Sequence, residues 1–343
     1  MVEAIARFST NPIPTPPIDP VLWNDWHVIA SSGSLVPGAL TKFRLLEQDL
    51  VLWRGQDGQV CVWDDRCPHR SVRLSAGKVV DNTLVCSYHG LAFNGTGQCV
   101  DVPAHPNYRP PKQACVRAYP VQERYGLVYV CLGEPAQDIP SFPEWEQPGF
   151  RNYLTGPYYI RTNPLRAIEN FLDVAHFPFI HGGILGDPDK PEIQPYEVTL
   201  DKNGVFARDI RVWQPDPYGT GIGDYVSYDY WALRPLTAYL RKESPSGDCL
   251  TLFYTVTPIS AVECISWMSG AMNYAHEISD DDIKAFQNRV VLQDLDNLES
   301  HNPLQLPLDS SLEFHIPSDR ATLAYRQWLK QLGLTYGTVS SSR

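Results

Sequence analysis

Two pairs of potential metal ligands occur close together in the first third of the chain. Cys67 and His69 form one pair, Cys86 and His89 form the other, and the sixteen residues 70–85 lie between them. Turn signals within that interval predict two neighbouring hairpin loops. Thiolates and imidazoles are both strong ligands for transition metals, so two such loops can bind one metal centre together.

The ligand types alone leave two metal centres open. Zinc suits two cysteines and two histidines in a tetrahedral site. Zinc modules with this ligand set usually place both cysteines in one knuckle and both histidines in another, whereas here each loop provides one of each. That arrangement is the one found in a two-iron cluster with thiolates on one iron and imidazoles on the other.

These four residues resemble the ligand motif of the Rieske [2Fe-2S] family. The resemblance implies that Cys67 and Cys86 bind one iron and that His69 and His89 bind the other. The segments CPHRS and CSYHG lack the additional cysteines of Rieske proteins from respiratory complexes. In this respect the sequence is similar to the oxygenase and ferredoxin branch.

The motif departs from the family pattern at two positions. The usual glycine after His-Arg is Ser71 here, and the usual tryptophan after His-Gly is Leu91. Neither position is a ligand in the family. We therefore expect changes in the packing and potential of the cluster rather than loss of the cluster.

A second group of candidate ligands lies in NPLRAIENFLDVAHFPFIHGG, residues 163–183. Pro164 favours the start of a helix. On an ideal helix His176 and His181 would point about 140° apart and would not share a metal. Pro178 lies between them and is expected to break or kink the helix, which would bring His181 beside His176. The zinc-protease pattern is excluded, because it needs histidines four residues apart with a glutamate between them.

Two histidines need a carboxylate to complete the facial triad of non-heme Fe(II) oxygenases. A helix predicted near residues 281–298 offers Asp294, which falls in the middle of the apolar stripe, whereas Asp296 projects to the opposite side. A carboxylate that points into a core is costly unless a cation or hydrogen bonds compensate its charge. The pattern predicts Asp294 as the third ligand, with an N-cap or salt-bridge role as the alternative.

Together the two ligand groups resemble the α subunit of a Rieske non-heme iron oxygenase, over residues 23–336. The resemblance implies one [2Fe-2S] cluster and one Fe(II) per subunit, O2 as co-substrate, and a homotrimer. It also implies that Asp173 accepts hydrogen bonds from His176 and from His89 of the partner subunit, and that Asn170 supports the iron site. The chain is most similar to short monooxygenases, among them aryl O-demethylases, chlorophyll-breakdown oxygenases and cyanobacterial enzymes that hydroxylate saxitoxin-type guanidinium alkaloids.

The implied reaction is hydroxylation or oxidative demethylation of a small organic molecule, with a guanidinium alkaloid as a candidate substrate. The electrons are supplied from outside the chain. The sequence carries no flavin or nicotinamide motif, and GTGIGD at residues 219–224 lacks the required glycine spacing. We therefore expect a separate NAD(P)H-dependent reductase, a ferredoxin, or both. The alternatives are a ring dioxygenase, a Rieske electron carrier with a degenerate iron site, and a zinc-stabilised binding protein.

Composition limits the partners. The 343 residues include 28 Lys and Arg against 39 Asp and Glu, a net charge of −11. This balance argues against nucleic acid and anionic membrane surfaces as partners, because both attract basic patches. No apolar run is long enough to cross a membrane and no secretory signal is evident, so we expect a cytoplasmic enzyme. Four cysteines without ligand neighbours are expected to be buried: Cys115, Cys131, Cys249 and Cys264.

The strands and helices predicted around these residues indicate an α+β fold in two domains. A Pro-rich arm (1–22) precedes a Rieske domain of short antiparallel strands (23–139), and the iron-binding catalytic domain follows (140–343). The catalytic domain is expected to be a helix-grip fold. It has strands through most of residues 193–275 and then two helices, each opened by a Ser/Asp cap signal.

The strands of the catalytic domain also supply candidates for a substrate pocket. The segments LTLFYTVTP and CISWMSGAMN are rich in large apolar side chains. We take Tyr254, Trp267 and Met268 from them as candidate substrate contacts. An ordinary core role is the alternative for each.

Overall fold

The computed structural model describes residues 18–217 and 221–339, and the chain divides into two compact units after Gln137. The predicted domain boundary, between residues 139 and 140, lies slightly further along the chain. Residues 1–17 of the predicted arm and residues 219–220 of GTGIGD lie outside the described residues.

The first unit consists of short antiparallel strands. They are β1 (His27–Ser31), β2 (Leu40–Leu45), β3 (Gln48–Arg54), β4 (Val60–Asp64), β5 (Lys78–Val80), β6 (Thr83–Val85), β7 (Ala92–Asn94), β8 (Cys99–Asp101), β9 (Val121–Arg124) and β10 (Leu127–Val130). They form three sheets, with the strand orders β1-β10-β9, β2-β3-β4 and β5-β6-β7-β8. This is the predicted β architecture of the first domain.

The core of the first unit surrounds the two candidate cysteine ligands. Trp53 on β3 and Trp63 on β4 pack edge to face with ring centroids 5.0 Å apart. Both belong to a buried cluster that includes Phe93, Cys67 and Cys86. The loops that carry the candidate ligands are therefore anchored in the apolar interior at their cysteines.

The second unit is built on one antiparallel sheet of seven strands. They are β11 (Arg151–Ile160), β12 (Glu197–Asp201), β13 (Gly204–Gln214), β14 (Asp224–Arg234), β15 (Thr237–Glu243), β16 (Cys249–Ser260) and β17 (Glu263–Met272). Their order in the sheet is β11-β17-β16-β15-β14-β13-β12. Two further short strands, β18 (Leu306–Pro307) and β19 (Thr338–Val339), pair in parallel.

The helices are few. They are α1 (Pro20–Trp23), α2 (Pro164–Leu172), α3 (Phe177–Ile180), α4 (Asp280–Ser300) and α5 (Arg320–Gln331). With the mostly antiparallel sheets they confirm the predicted α+β class. Among the described residues, none of these helices is long and apolar enough to cross a membrane.

The predicted helix starts agree with the structure at α2 and α4. Pro164 is in the first turn of α2, and the Asn163 side chain accepts a hydrogen bond from Leu165 N. Ser279 caps α4 by accepting a hydrogen bond from Asp282 N at 3.1 Å. At α5 the N-cap residue Asp319 makes no side-chain cap, so the predicted capping is wrong there.

Three other expectations need correction. Pro20–Trp23, at the end of the predicted extended arm, form a helical turn, because Leu22 N and Trp23 N both bond to Asp19 O. Cys115 is exposed, whereas Cys131, Cys249 and Cys264 are buried as predicted. The helix does not break between the two histidines at Pro178. It ends earlier, at Asp173, before both histidines, and Pro178 lies in the first turn of α3.

Candidate active site

The two cysteine-histidine loops share one pattern of backbone hydrogen bonds. In the first loop Cys67 N bonds to Val72 O and Ser71 N bonds to Cys67 O. In the second loop Cys86 N bonds to Leu91 O and Gly90 N bonds to Cys86 O. Each loop is thus a tight turn closed on its own cysteine.

The cysteines of these loops are buried and the histidines are exposed. Cys67 and Cys86 have 1% and 2% of their surface accessible, and their thiols interact directly. His69 and His89 lie at the surface, with ring centroids 4.6 Å apart. The structure therefore brings all four predicted ligands together as two buried sulfurs and two outer imidazoles.

The pKa values of Cys67 and His69 show which protonation states this arrangement favours. Burial raises the pKa of the Cys67 thiol to about 11, the nearby Cys86 adds to this, and N–H groups of His69 and Arg70 oppose it. Burial, His89 and Arg70 lower the pKa of His69, which favours the neutral imidazole. Two thiols in this pocket become thiolates readily only when a cation compensates their charge. The donor set of two thiolates and two neutral imidazoles fits a [2Fe-2S] cluster ligated by Cys2His2.

The second ligand group forms where α2 ends. Asp173 leaves the helical conformation, with φ −88° and ψ 136°, and its Oδ1 accepts a hydrogen bond from Ala175 N at 3.0 Å. This bond ends the helix, because a side chain that accepts from a nearby backbone N–H competes with the helical pattern. His176 and His181 then lie at the two ends of α3, with ring centroids 5.2 Å apart.

A carboxylate of α4 completes this group. Asp294 Oδ1 lies 3.5 Å from His176 Nε2 and 3.3 Å from His181 Nε2. One ligand atom from each of the three residues lies within 4.8 Å of the others. Asp296, two positions further along α4, is exposed, as the stripe pattern predicted.

Each imidazole is oriented by an oxygen atom within hydrogen-bond distance of its Nδ1, the ring nitrogen that faces away from Asp294. His176 Nδ1 lies 2.9 Å from Asp173 Oδ2, and His181 Nδ1 lies 2.9 Å from Gln293 Oε1. Each oxygen can accept a hydrogen bond, which places a proton on Nδ1, so the neutral form of either ring presents its Nε2 lone pair toward Asp294. Gln293 was not among the predicted site residues. Its signal in the sequence is the Gln-Asp pair that it forms with Asp294, which belongs to the family motif but was given no role of its own.

Neighbouring residues within the group shift the pKa values of Asp173 and His181. For Asp173, burial would raise the pKa, but the hydrogen bonds and charge of His176 and the N–H of Ala175 lower it overall. For His181, burial would lower the pKa, but Asp294 and Gln293 raise it overall. Two imidazole Nε2 atoms and one carboxylate fit an Fe(II) facial triad. Asp173 and Gln293 fix the orientation of the two rings through their Nδ1 atoms.

A cavity of about 220 Å³ opens beside this group, and His176, His181 and Asp294 form part of its wall. Aromatic rings form much of the remainder: Phe171, Phe177, Tyr228, Tyr230 and Tyr254. Phe171 of α2 stacks on Tyr254 of β16 with centroids 4.7 Å apart. Such walls suit a small, mainly apolar molecule.

The predicted substrate contacts fall on both faces of the sheet. Tyr254 and Met268 line the cavity, as does Asn170 of α2. Trp267 does not, and this candidate is corrected, because side chains alternate along β17 and Trp267 pairs with Thr255 on the other face. Substrate contact by Tyr254 and Met268 stays a prediction.

One end of the cavity is polar. Lys242 on β15 donates hydrogen bonds to Gln214 Oε1 and Pro217 O, both at 3.1 Å. Gln214 Nε2 donates to Tyr228 Oη at 2.7 Å. Burial lowers the pKa of Lys242 to about 8. Lys242, Gln214 and Tyr228 were not predicted to belong to the site.

Two family models match the chain, a Rieske [2Fe-2S] domain over residues 25–120 and a vanillate O-demethylase oxygenase C-terminal domain over residues 160–335. Methylxanthine N1-demethylase NdmA from Pseudomonas putida is 32% identical over 328 residues, covering 90% of this chain and 88% of that protein. The vanillate O-demethylase oxygenase subunit of Pseudomonas sp. (strain ATCC 19151) is 30% identical, covering 55% and 59%. The structure of Pseudomonas putida NdmA with caffeine is similar with a TM-score of 0.77 at 28% identity, covering 90% of each chain.

Proposed function

Because this chain belongs to the Rieske non-heme iron oxygenase α subunits, we propose that its two ligand groups and its cavity serve one monooxygenase reaction, with the site residues in the roles given below. The enzyme hydroxylates or oxidatively demethylates a small organic molecule. One oxygen atom of O2 enters a C–H bond and the other leaves as water. Two electrons come from outside the chain and two protons come from solvent.

The ligand roles follow from the donor sets. Cys67 and Cys86 hold one iron of the [2Fe-2S] cluster, and His69 and His89 hold the other. His176, His181 and Asp294 hold Fe(II). When bound, the cluster supplies electron storage and the Fe(II) supplies activation of O2.

Other residues of the chain prepare this site. Asp173 and Gln293 keep the Nδ1 protons of His176 and His181 in place, so that both Nε2 atoms stay available as ligands. The aromatic and aliphatic walls of the cavity exclude water and position the substrate beside Asp294. The convergence of both Nε2 atoms on one oxygen of Asp294 is the observation that carries the proposal.

Electrons reach this oxygenase from a separate reductase or ferredoxin. We propose that the donor depends on NAD(P)H and that the chain acts as a homotrimer in which Asp173 also accepts a hydrogen bond from His89 of the partner subunit. The Asp173 side chain is 26% exposed, which leaves it accessible to a second donor. The cytoplasmic location and the guanidinium alkaloid substrate stay predictions.

The decisive experiment compares two aspartates of one helix. Asp294→Ala is expected to lose mononuclear iron and substrate-dependent O2 consumption while the visible absorption of the cluster survives. Asp296→Ala, two residues away and exposed, is the matched control and is expected to retain both. An electron carrier with a degenerate iron site would give equal iron contents in the two variants. A zinc protein would contain no acid-labile sulfide.

The trimer proposal has its own test. Sedimentation of the wild-type protein should give the mass of three chains. Asp173→Asn keeps the size of the side chain and removes its charge, so O2 consumption should fall about 10- to 100-fold with iron and cluster contents unchanged. A monomer with full activity would contradict the proposal.

A further inference from the structure

A buried carboxylate lies at the base of the first ligand loop. The Asp65 side chain is completely buried and belongs to the residue two positions before Cys67. Its Oδ1 accepts a hydrogen bond from Ser75 N at 2.7 Å, and its Oδ2 accepts from Ser75 Oγ at 2.7 Å and from Arg73 Nη1 at 3.3 Å. The carboxylate therefore joins the chain before this loop to the chain after it.

This carboxylate lies near the buried sulfur ligands. Asp65 and Cys67 are two residues apart, so their Cα atoms are separated by at most roughly 7 Å. On the other side of the loop, Leu74 is completely buried in the apolar core that contains Cys67 and Cys86. The negative charge and the two cysteines therefore belong to one region of the interior.

The second ligand loop shows that such a turn does not need a carboxylate. The residue two positions before Cys86 is Leu84, which is completely buried on β6. The backbone hydrogen bonds of this loop nevertheless follow the same pattern as those of the first loop. An apolar side chain avoids the cost of burying a charge, a cost that Asp65 offsets with its hydrogen bonds from Ser75 and Arg73. The backbone turn alone thus does not explain the charge of Asp65.

Arg73 is the charged partner of Asp65, but it is much less buried. Its guanidinium also pairs with Asp49 at 3.0 Å, and 57% of its side chain is exposed. Arg70, beside His69, is exposed as well. Solvent and salt screen exposed charges strongly, whereas a buried charge acts through a medium of lower dielectric constant. The field of this group at the cysteines is therefore dominated by the negative charge of Asp65.

We propose that Asp65, held by Ser75, lowers the reduction potential of the [2Fe-2S] cluster, and that Arg73 partly opposes this effect. The charge around an iron–sulfur cluster is one of the factors that set its potential, and a nearby negative charge disfavours the added electron. A lower potential makes the reduced cluster a stronger electron donor. Asp65 thus acts on the reaction through the cluster, and the inference rests on the proposed ligand roles of Cys67 and Cys86.

Potentiometric titration of the full-length holoenzyme at one fixed pH tests the inference, with the visible circular dichroism of the cluster as the signal. Asp65→Asn keeps the size of the side chain and removes its charge. The equilibrium constant for one-electron reduction should therefore rise about tenfold, which is about 59 mV. Arg73→Gln should lower the same constant about threefold, because the charge that it removes is partly screened. Simple distortion of the loop would not give shifts of opposite sign.

Two further variants serve as controls. Ser75→Ala removes a hydrogen bond of Asp65 without changing any charge. It should make the cluster absorption less stable to heat and leave the potential almost unchanged. Arg44→Gln removes a half-exposed charge that pairs with Asp49 rather than with Asp65, and it should not shift the potential.

An unchanged or lower potential in Asp65→Asn, or shifts of the same sign in Asp65→Asn and Arg73→Gln, would overturn the inference. If Asp65→Asn does not assemble a cluster, Arg73→Gln decides. A lower potential in that variant supports the inference, and an unchanged or higher one overturns it. A wild-type protein without visible absorption or acid-labile sulfide would instead contradict the proposed ligand roles.

Discussion

Ser71 and Gly90 occupy the same position in the two ligand loops. Each follows its cysteine by four residues and donates its N–H back to the cysteine carbonyl, at 2.9 Å and 3.1 Å. Each also has a left-handed backbone, with φ of 60° for Ser71 and 72° for Gly90. Glycine adopts this conformation at little cost, whereas serine is strained in it.

The strain at Ser71 can be measured with two substitutions. Ser71→Gly and Ser71→Ala both remove the hydroxyl that accepts a hydrogen bond from Arg66 at 2.8 Å, but only glycine relieves the left-handed backbone. Ser71→Gly should therefore be more stable than Ser71→Ala by about 1 kcal/mol. Thermal loss of the visible cluster absorption gives the comparison.

The second loop supplies the reverse experiment. Gly90→Ala should destabilise this loop, because the added Cβ has the unfavourable φ and would lie 3.2 Å from Pro103 Cγ. Gly33→Ala, where the new Cβ meets nothing within 4 Å and φ is not positive, is the control. A Gly90→Ala protein as heat-stable as the control would show that the shared turn is not required around the cluster.

Gln293 should matter to iron although it is not a ligand. Gln293→Leu removes the acceptor of the His181 Nδ1 proton, so the ring loses its fixed orientation. We expect a 10- to 100-fold weaker affinity for Fe(II), measured by competition with a chelator. Asn297→Leu, exposed on the same helix, should bind iron normally. Equal affinities in the two variants would remove the orienting role of Gln293.

Met268 and its neighbour Trp267 should differ in their effect on specificity. Met268→Ala enlarges the cavity, so kcat/KM for the ethyl homologue of a methyl-bearing substrate should rise about tenfold relative to the methyl compound. Trp267→Phe changes the other face of the sheet and should leave this ratio unchanged while lowering stability. The ratio is measured from initial rates of O2 consumption. A shift in the Trp267 variant would contradict the assignment of faces.

The sequence does not show which of Trp267 and Met268 faces the cavity. Side-chain alternation along β17 was evident, but all of its residues after Glu263 are buried, so polarity does not reveal which face borders the cavity. Asp294 could be predicted because a carboxylate within an apolar stripe needs a partner. Gln293 could not, since the next position on a helix is rotated by about 100° and only the folded chain brings His181 to it.

A helix break near the histidines was predicted, but the residue that causes it was not. Pro178 was the obvious helix breaker, and it was expected to bring the two histidines together. The chain instead leaves the helix at Asp173, whose carboxylate bonds to both Ala175 N and His176 Nδ1. A proline is recognisable from its type alone. A carboxylate that ends a helix through its own hydrogen bonds depends on side-chain geometry that the sequence does not specify.

An ion cluster that joins α2 and α5 should make stability depend on pH. Arg166 of α2 and Arg326 of α5 both bond to Glu313, at 2.7 Å and 2.6 Å, and both also pair with Glu169. Burial would raise the pKa of Glu313, but the hydrogen bonds and charges of the two arginines lower it to about 2. A depressed carboxylate pKa stabilises the fold fully above the unfolded value, and this contribution is lost as pH falls toward the folded value.

Glu313→Gln mimics the protonated residue, so it should be less stable than the wild type at pH 7 by about 1–2 kcal/mol, a value reduced for partial solvent exposure. The difference should shrink by more than half by pH 3, as the wild-type carboxylate begins to lose its advantage below its usual pKa of 4.5. Urea unfolding followed by far-ultraviolet circular dichroism measures both values. Glu277→Gln, at an exposed residue just before α4, is the control and should show little change at either pH. A gap between Glu313→Gln and wild type that stays constant from pH 7 to pH 3 would mean that the charge of Glu313 does not hold α2 and α5 together.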